Sequence, residues 1–175
     1  QVLQLRGPRA LSEFRLAKLL ASLQKLDPGL RSVAAEYRYF VQAGRELAAA
    51  ERRLLERLLD DGTPLLPPSR GESFLVVPRL GTISPWSSKA SDIARNCGLG
   101  AVTRIERGRL FHVEGATRDV GPLLHDRMTE AVLRSLDEAA RLFDQVAPRP
   151  LEEIPVETLA EANLRLGLAL SDEEI

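Results

Sequence analysis

Arg31-Ser32-Val33-Ala34-Ala35-Glu36-Tyr37-Arg38-Tyr39-Phe40-Val41-Gln42-Ala43 alternates with a two-residue period, which sets Val33, Ala35, Tyr37, Tyr39 and Val41 on one side and Glu36 and Arg38 on the other. A strand covered on both faces, as in a doubly wound parallel sheet, reads instead as a continuous apolar run. The segment therefore predicts a half-buried strand in a mainly antiparallel sheet with helices packed on it, an α+β fold.

On the amino-terminal side, residues 1–6 alternate as a first strand and lead to Gly7-Pro8, a turn signal. Leu16, Leu19, Leu20 and Leu23 then mark one face of a helix over residues 10–26, stopped by Pro28-Gly29. On the other side, residues 47–59 read as a second helix with Leu47, Leu54, Leu55 and Leu58 inward, closed by Asp60-Asp61-Gly62-Thr63-Pro64. After a proline-bearing linker at 64–71 the pattern starts again: a strand at 73–78, and a helix at 87–97 with Ala90, Ile93, Ala94 and Cys97 inward and Gly98 as a left-handed cap. A strand bent or bulged at Gly108 is expected over 102–113, and a fourth helix over 126–143 with Val132, Leu136, Ala140 and Phe143 as its stripe. Strand, helix, strand, helix, stated twice, predicts a duplicated β-α-β-α unit forming a domain over residues 1–147. Pro148, Pro150 and Pro155 mark an extended connector, followed by an amphipathic helix at 156–170, so residues 148–175 are expected to begin a second, linker domain. Ser171 and Glu174 stand at capping-box spacing just before Ile175, and no initiator methionine opens the chain; both point to a piece of a longer polypeptide.

Composition limits the function. The 175 residues are 44% hydrophobic and 28% charged with a formal net charge of -1, so no global basic field points to nucleic acid, and no apolar run is long enough to span a bilayer. The single cysteine excludes an internal disulfide framework and no export signal is legible, which favours a reducing cytoplasm. Charge is uneven: Arg79, Lys89, Arg95, Arg104, Arg107 and Arg109 face only Asp92 and Glu106 across residues 79–109, whereas residues 126–175 hold five basic and twelve acidic side chains. The segment is read as a solvated basic stretch or as one facing an anion or a partner.

No catalytic signature appears: no Walker loop, GxGxxG, HExxH, paired CxxC or GxSxG. Cys97 reads as core packing, and His112 and His125 lack a second ligand at metal spacing, so neither a catalytic nor a metal site is expected in these residues. One strand-to-helix segment stands out, Pro78-Arg79-Leu80-Gly81-Thr82-Ile83-Ser84-Pro85-Trp86-Ser87-Ser88-Lys89. Ser84-Pro85 can cap and start a helix. Its hydroxyls and Lys89 at a helix amino terminus would equally suit an oxyanion. The only tryptophan in a polar loop favours contact with a partner or ligand, so Thr82, Ser84, Trp86, Ser87, Ser88 and Lys89 are the interface or substrate-facing candidates. Asp126-Arg127-Met128-Thr129-Glu130 reads as a helix cap.

Thr82-Ile83-Ser84-Pro85-Trp86-Ser87-Ser88-Lys89-Ala90, continued by Asp92-Ile93-Ala94 and Asn96-Cys97-Gly98-Leu99, closely resembles the signature near the amino terminus of large single-chain phosphoribosylformylglycinamidine synthases; Ser91 stands where the family pattern has threonine. Arg104-Ile105-Glu106-Arg107-Gly108, the cluster from His125 to Glu130, and Ala162-Asn163-Leu164-Arg165-Leu166-Gly167-Leu168-Ala169-Leu170 also look like that family, in its order. The resemblance implies an ATP- and Mg-dependent ligase of purine synthesis that converts formylglycinamide ribonucleotide and glutamine to formylglycinamidine ribonucleotide, with synthetase and glutaminase domains in the same longer chain as partners. It implies an amino-terminal domain similar to a dimer of the small subunit of multi-chain versions, in accord with the duplicated pattern. The segment itself is then expected to serve assembly, to need no cofactor and to catalyse nothing; a surface made for the missing domains leaves room for self-association. The competing reading is a free-standing α+β module that binds an anionic small molecule through residues 79–109.

Overall fold

The computed structural model describes residues 2–67, 70–144 and 153–175. Five strands, β1 (Val2–Arg9), β2 (Ser32–Ala43), β3 (Glu72–Pro78), β4 (Val102–Glu114) and β5 (Glu130–Leu133), form one antiparallel sheet in the order β1-β2-β4-β3-β5. Helices α1 (Glu13–Gln24), α2 (Ala49–Leu59) and α3 (Pro85–Asn96) connect the first four strands. β1-α1-β2 and β3-α3-β4 thus flank the central β2–β4 pair in the same way, the α+β arrangement read from the alternation. The chain falls into two compact units, Gln1–Gln145 and Val146–Ile175. The expected join at 147/148, the prolines at 148 and 150, and part of the 64–71 linker lie outside the described residues.

One sheet face carries the helices. Leu16, Leu19, Leu20 and Leu23 of α1 pack on Ala35, Phe74 and Phe111. Leu54 and Leu55 of α2 and Ala90 and Ala94 of α3 pack on Val41 and Ile105. The opposite face is not solvated as the alternation suggested. Phe40 is 0% exposed within a cluster that includes Leu75, Leu110 and Leu142, and Glu36 is 2% exposed, ion-paired to Arg6 and Arg38 at 2.5 Å each. Glu36 and Arg38 remain polar because they neutralise one another, not because they face water.

Four local expectations are corrected. Gly7-Pro8 is no turn: β1 runs through it with a register shift between Arg6 and Arg9, and a Cβ on Gly7 would lie 2.7 Å from a Tyr39 ring carbon. Gly108 is paired regularly with Arg38, and the irregularity of the β2–β4 ladder falls at Gln42/Ala43. Residues 126–143 are no continuous α-helix: Asp126 and Glu130 close a turn by accepting from the Met128 and Asp126 amides, β5 pairs with the outer edge of β3, and a 3-10 helix follows over Asp137–Phe143. An open edge of β3 offers four residues a ladder that an isolated helix cannot match. In the carboxyl-terminal unit the helix expected over 156–170 is shorter: a 3-10 turn (Val156–Thr158) precedes α4 (Leu159–Leu166), which stops at left-handed Gly167.

The turn after α1 is tied to the loop after β4 by Asp27. Its carboxylate accepts from the Thr117 amide (2.6 Å), the Thr117 hydroxyl (2.9 Å), the Gly29 amide (3.2 Å) and the Arg118 amide (3.1 Å). The Thr117 amide foremost, with the other three donors, holds this carboxyl below its ordinary range against the opposing effect of burial. A carboxyl with a depressed folded-state pKa contributes its full stabilisation above the unfolded value and loses it as pH falls through the folded one. Asp27→Asn should therefore melt lower than wild type at pH 7, with the gap closing below about pH 4; a gap independent of pH would refute the linkage.

Candidate functional site

The segment from Arg79 to Lys89 is held at both ends. The Arg79 amide donates to the Thr129 carbonyl (2.9 Å), and Ser84 caps α3, its Oγ accepting from the Ser87 amide (3.0 Å) with Pro85 in the first turn. Ser84 Oγ in turn donates to Glu106 Oε2 (3.1 Å); Glu106 is 0% exposed and receives the Arg104 guanidinium on Oε1 at 2.5 Å. Arg104 also donates to the Thr82 carbonyl (2.8 Å). A buried carboxylate thus fixes a helix cap, and a single arginine closes the loop over it. Where β3 leaves β4, α3 covers the freed edge, and Ser91 Oγ accepts from the Ile105 amide (2.9 Å).

The hydroxyls of the loop are therefore largely occupied. Thr82 donates to the Arg79 carbonyl (2.6 Å), Ser84 serves as described, and exposed Ser88 leans back on the Ser84 carbonyl at 3.5 Å. Ser87 is buried and its hydroxyl has no partner among the described residues. Lys89 is exposed on the same helix. The structure brings the six candidates onto one loop and helix start, but as a scaffold with Trp86 and Lys89 turned to grooves rather than as a ring of donors around a common point.

Trp86 is half-buried and stacks on Tyr39, centroids 5.9 Å apart, which stacks on Tyr37 at 6.4 Å. Arg107, paired with Tyr39 across the ladder, lies over both the Tyr37 ring (4.3 Å) and the Trp86 ring (4.6 Å). Trp86 forms the wall between two grooves. A polar cleft of about 330 Å³ is lined by Arg15, Tyr37, Ser84, Arg107, Arg109 and Glu130 among others. An apolar one of about 520 Å³ between α2 and α3 is lined by Leu58, Lys89 and Ile93 among others. A larger hollow of about 570 Å³ near β1 and the end of α2 holds none of the six candidates. Tyr37 and Tyr39 are the residues that local reading passed over as site members, and Arg107 was marked only as one of six basic residues in the 79–109 stretch. Their convergence depends on the β2–β4 register, and the only linear hint was the run of arginines at 104, 107 and 109.

The remaining candidates play structural parts. Cys97 caps the end of α3 and is exposed, not packed in the core, and Gly98 follows it in the left-handed region (φ +91°). His112 Nδ1 lies 3.1 Å from Ser73 Oγ, and burial lowers its pKa; His125 Nδ1 lies 3.1 Å from the Gly121 carbonyl. Among the described residues no three His, Cys, Asp or Glu side chains gather as metal ligands, and no helix is long and apolar enough to cross a membrane.

Residues 36–143 match the family model described as formylglycinamide ribonucleotide amidotransferase, N-terminal. The matched stretch runs from β2 to the 3-10 helix behind β5 and contains the whole Trp86 segment, its Glu106 anchor and Arg107. The chain belongs to the amino-terminal family of formylglycinamide ribonucleotide amidotransferase, an ATP-dependent glutamine amidotransferase of purine biosynthesis.

Proposed function

We propose that this segment serves assembly within a longer amidotransferase, packing against the synthetase portion and shaping the approach to its active site without carrying out chemistry itself. The observation that carries this reading is the use of the loop. The Thr82 and Ser84 hydroxyls are spent on the turn and cap and the Ser87 hydroxyl is buried, while Trp86, Lys89 and the 62%-exposed Ile83 are presented outward. An aromatic anchored by a second aromatic and a cation is the type of side chain that dominates protein interfaces. The glutaminase and synthetase portions are the intended partners, the cytoplasm the setting, and the Mg and ATP of the ligase reaction belong to the synthetase portion.

In the longer enzyme, Trp86→Ala is expected to lower ligase activity about tenfold or more, the scale of removing one aromatic anchor, with a smaller loss of glutaminase activity. Lys89→Ala should show the same ordering with a lesser effect. Equal loss of both activities, tracking unfolding, would leave the loop a purely internal brace. Glutamine hydrolysis by residues 1–175 alone would overturn the non-catalytic assignment.

A further inference from the structure

Arginines on this sheet are almost all neutralised. Arg6 and Arg38 reach Glu36, Arg9 reaches Glu13, Arg104 reaches Glu106 and Arg109 reaches Glu130. Among the described residues Arg107 is the strand arginine with no carboxylate and no hydrogen-bond acceptor; its guanidinium is held only by the Tyr37 and Trp86 rings. Aromatic faces fix the plane of a guanidinium while leaving its edge donors free, and that edge matches the paired oxygens of an oxyanion. Arg15 of α1 and Arg109 line the same cleft, with Glu130 as the opposing carboxylate. Three guanidiniums against one carboxylate leave a surplus of two positive charges.

We propose that this cleft, between α1 and the start of α3 over β2 and β4, binds a phosphomonoester, with Arg107 as the principal ligand and Arg15 as a second donor. The charge surplus matches the -1.5 to -2 of a phosphomonoester near neutral pH, whereas one carboxylate would leave a guanidinium uncompensated. A volume of about 330 Å³ suits a small phosphorylated molecule. Arg107, oriented before the ligand arrives, loses little side-chain freedom on binding. The cleft shares Trp86 and Arg107 with the proposed docking loop, but all of its lining lies within residues 10–130, so binding can be read without the other domains.

Trp86 is the only tryptophan, so its emission reports directly on the cation above it. Titrating the 175-residue chain with glycerol 3-phosphate should give a saturable emission change. Inorganic phosphate should compete, and glycerol, acetate and chloride at matched ionic strength should not. Arg107→Lys keeps the charge but removes the planar fork and should weaken binding at least tenfold with an unchanged circular dichroism spectrum. Arg15→Gln, at an exposed helical position, should weaken it several-fold and keeps the test open if the Arg107 variant does not fold. No saturable change, an equal response to acetate, or wild-type affinity in Arg15→Gln or in a folded Arg107→Lys would overturn the proposal. The titration uses this chain alone, so its outcome is separable from the ligase and glutaminase measurements on the longer enzyme.

Discussion

Glu106→Ala is expected to destabilise the amino-terminal unit by about 3–5 kcal/mol, because it strips the counter-charge from Arg104 and the acceptor from Ser84 in one step. Glu106 is 0% exposed and the Arg104 side chain 17%, so neither group can recover its hydration by a small movement. Ser84 alone, replaced by alanine, should cost about 1 kcal/mol as an ordinary lost cap. Its effect in a Glu106→Ala background should be smaller, since the hydroxyl no longer has its buried acceptor; a coupling of at least about 0.5 kcal/mol is expected for groups in direct contact. Glu106→Gln keeps a carbonyl acceptor for Arg104 and presents an amide donor to Ser84 Oγ, which can accept in its place, so it should lose less than the alanine variant. Denaturant unfolding of the wild type and the four variants decides the matter. A Glu106→Ala loss below about 1 kcal/mol would mean that Arg104 finds another acceptor and that Trp86 is not held through this carboxylate.

Much of this architecture is legible in the linear pattern because it rests on local periodicity. The Leu16-Leu19-Leu20-Leu23 stripe of α1 and the alternation of β2 give the correct elements within a few residues, and Ser84-Pro85 gives the start of α3. What escaped has a common physical cause, pairing between distant segments. Val132, Leu136 and Phe143 fall at helical spacing, yet adjacent Val132 and Leu133 suit a strand covered on both faces just as well, and only the vacant edge of β3 decides between them. The better local clue was Ser135 with Glu138, whose side chains bond each other's amides at 3.4 and 3.1 Å and open the 3-10 helix. Glu36 illustrates the same limit from the other direction. A charged residue in an alternating strand reads as water-facing, but Arg6 arrives from β1 and makes burial tolerable. For the candidate site, the loop of residues 82–89 was visible from its composition, while the column of Tyr37, Tyr39, Trp86 and Arg107 exists only once β2, β4 and α3 are brought together.

Gly71→Ala is expected to cost several kcal/mol although it removes no side-chain interaction. Gly71 adopts φ +108° immediately before β3, and a Cβ there would sit 2.2 Å from the Val113 carbonyl oxygen of β4. The next residue, Glu72, pairs with Val113, so relieving the clash means shifting the first rung of the β3–β4 ladder. β3 carries Phe74, Leu75, Val76 and Val77, all 1% exposed or less, and joins β4 to β5; a displaced strand would therefore unsettle both sheet faces. Gly62 separates the two parts of the cost. It has φ +79°, and a Cβ there meets nothing within 4 Å. Gly62→Ala should then lose only the backbone penalty of the left-handed conformation, about 1–2 kcal/mol, in chemical denaturation. Gly71→Ala should exceed it by about 2 kcal/mol or more, on the scale of a clash within a packed sheet. Equal losses would show that the chain around residue 71 can move aside freely, and that the restart of the strand-helix pattern after α2 depends on the β3–β4 ladder rather than on this close approach.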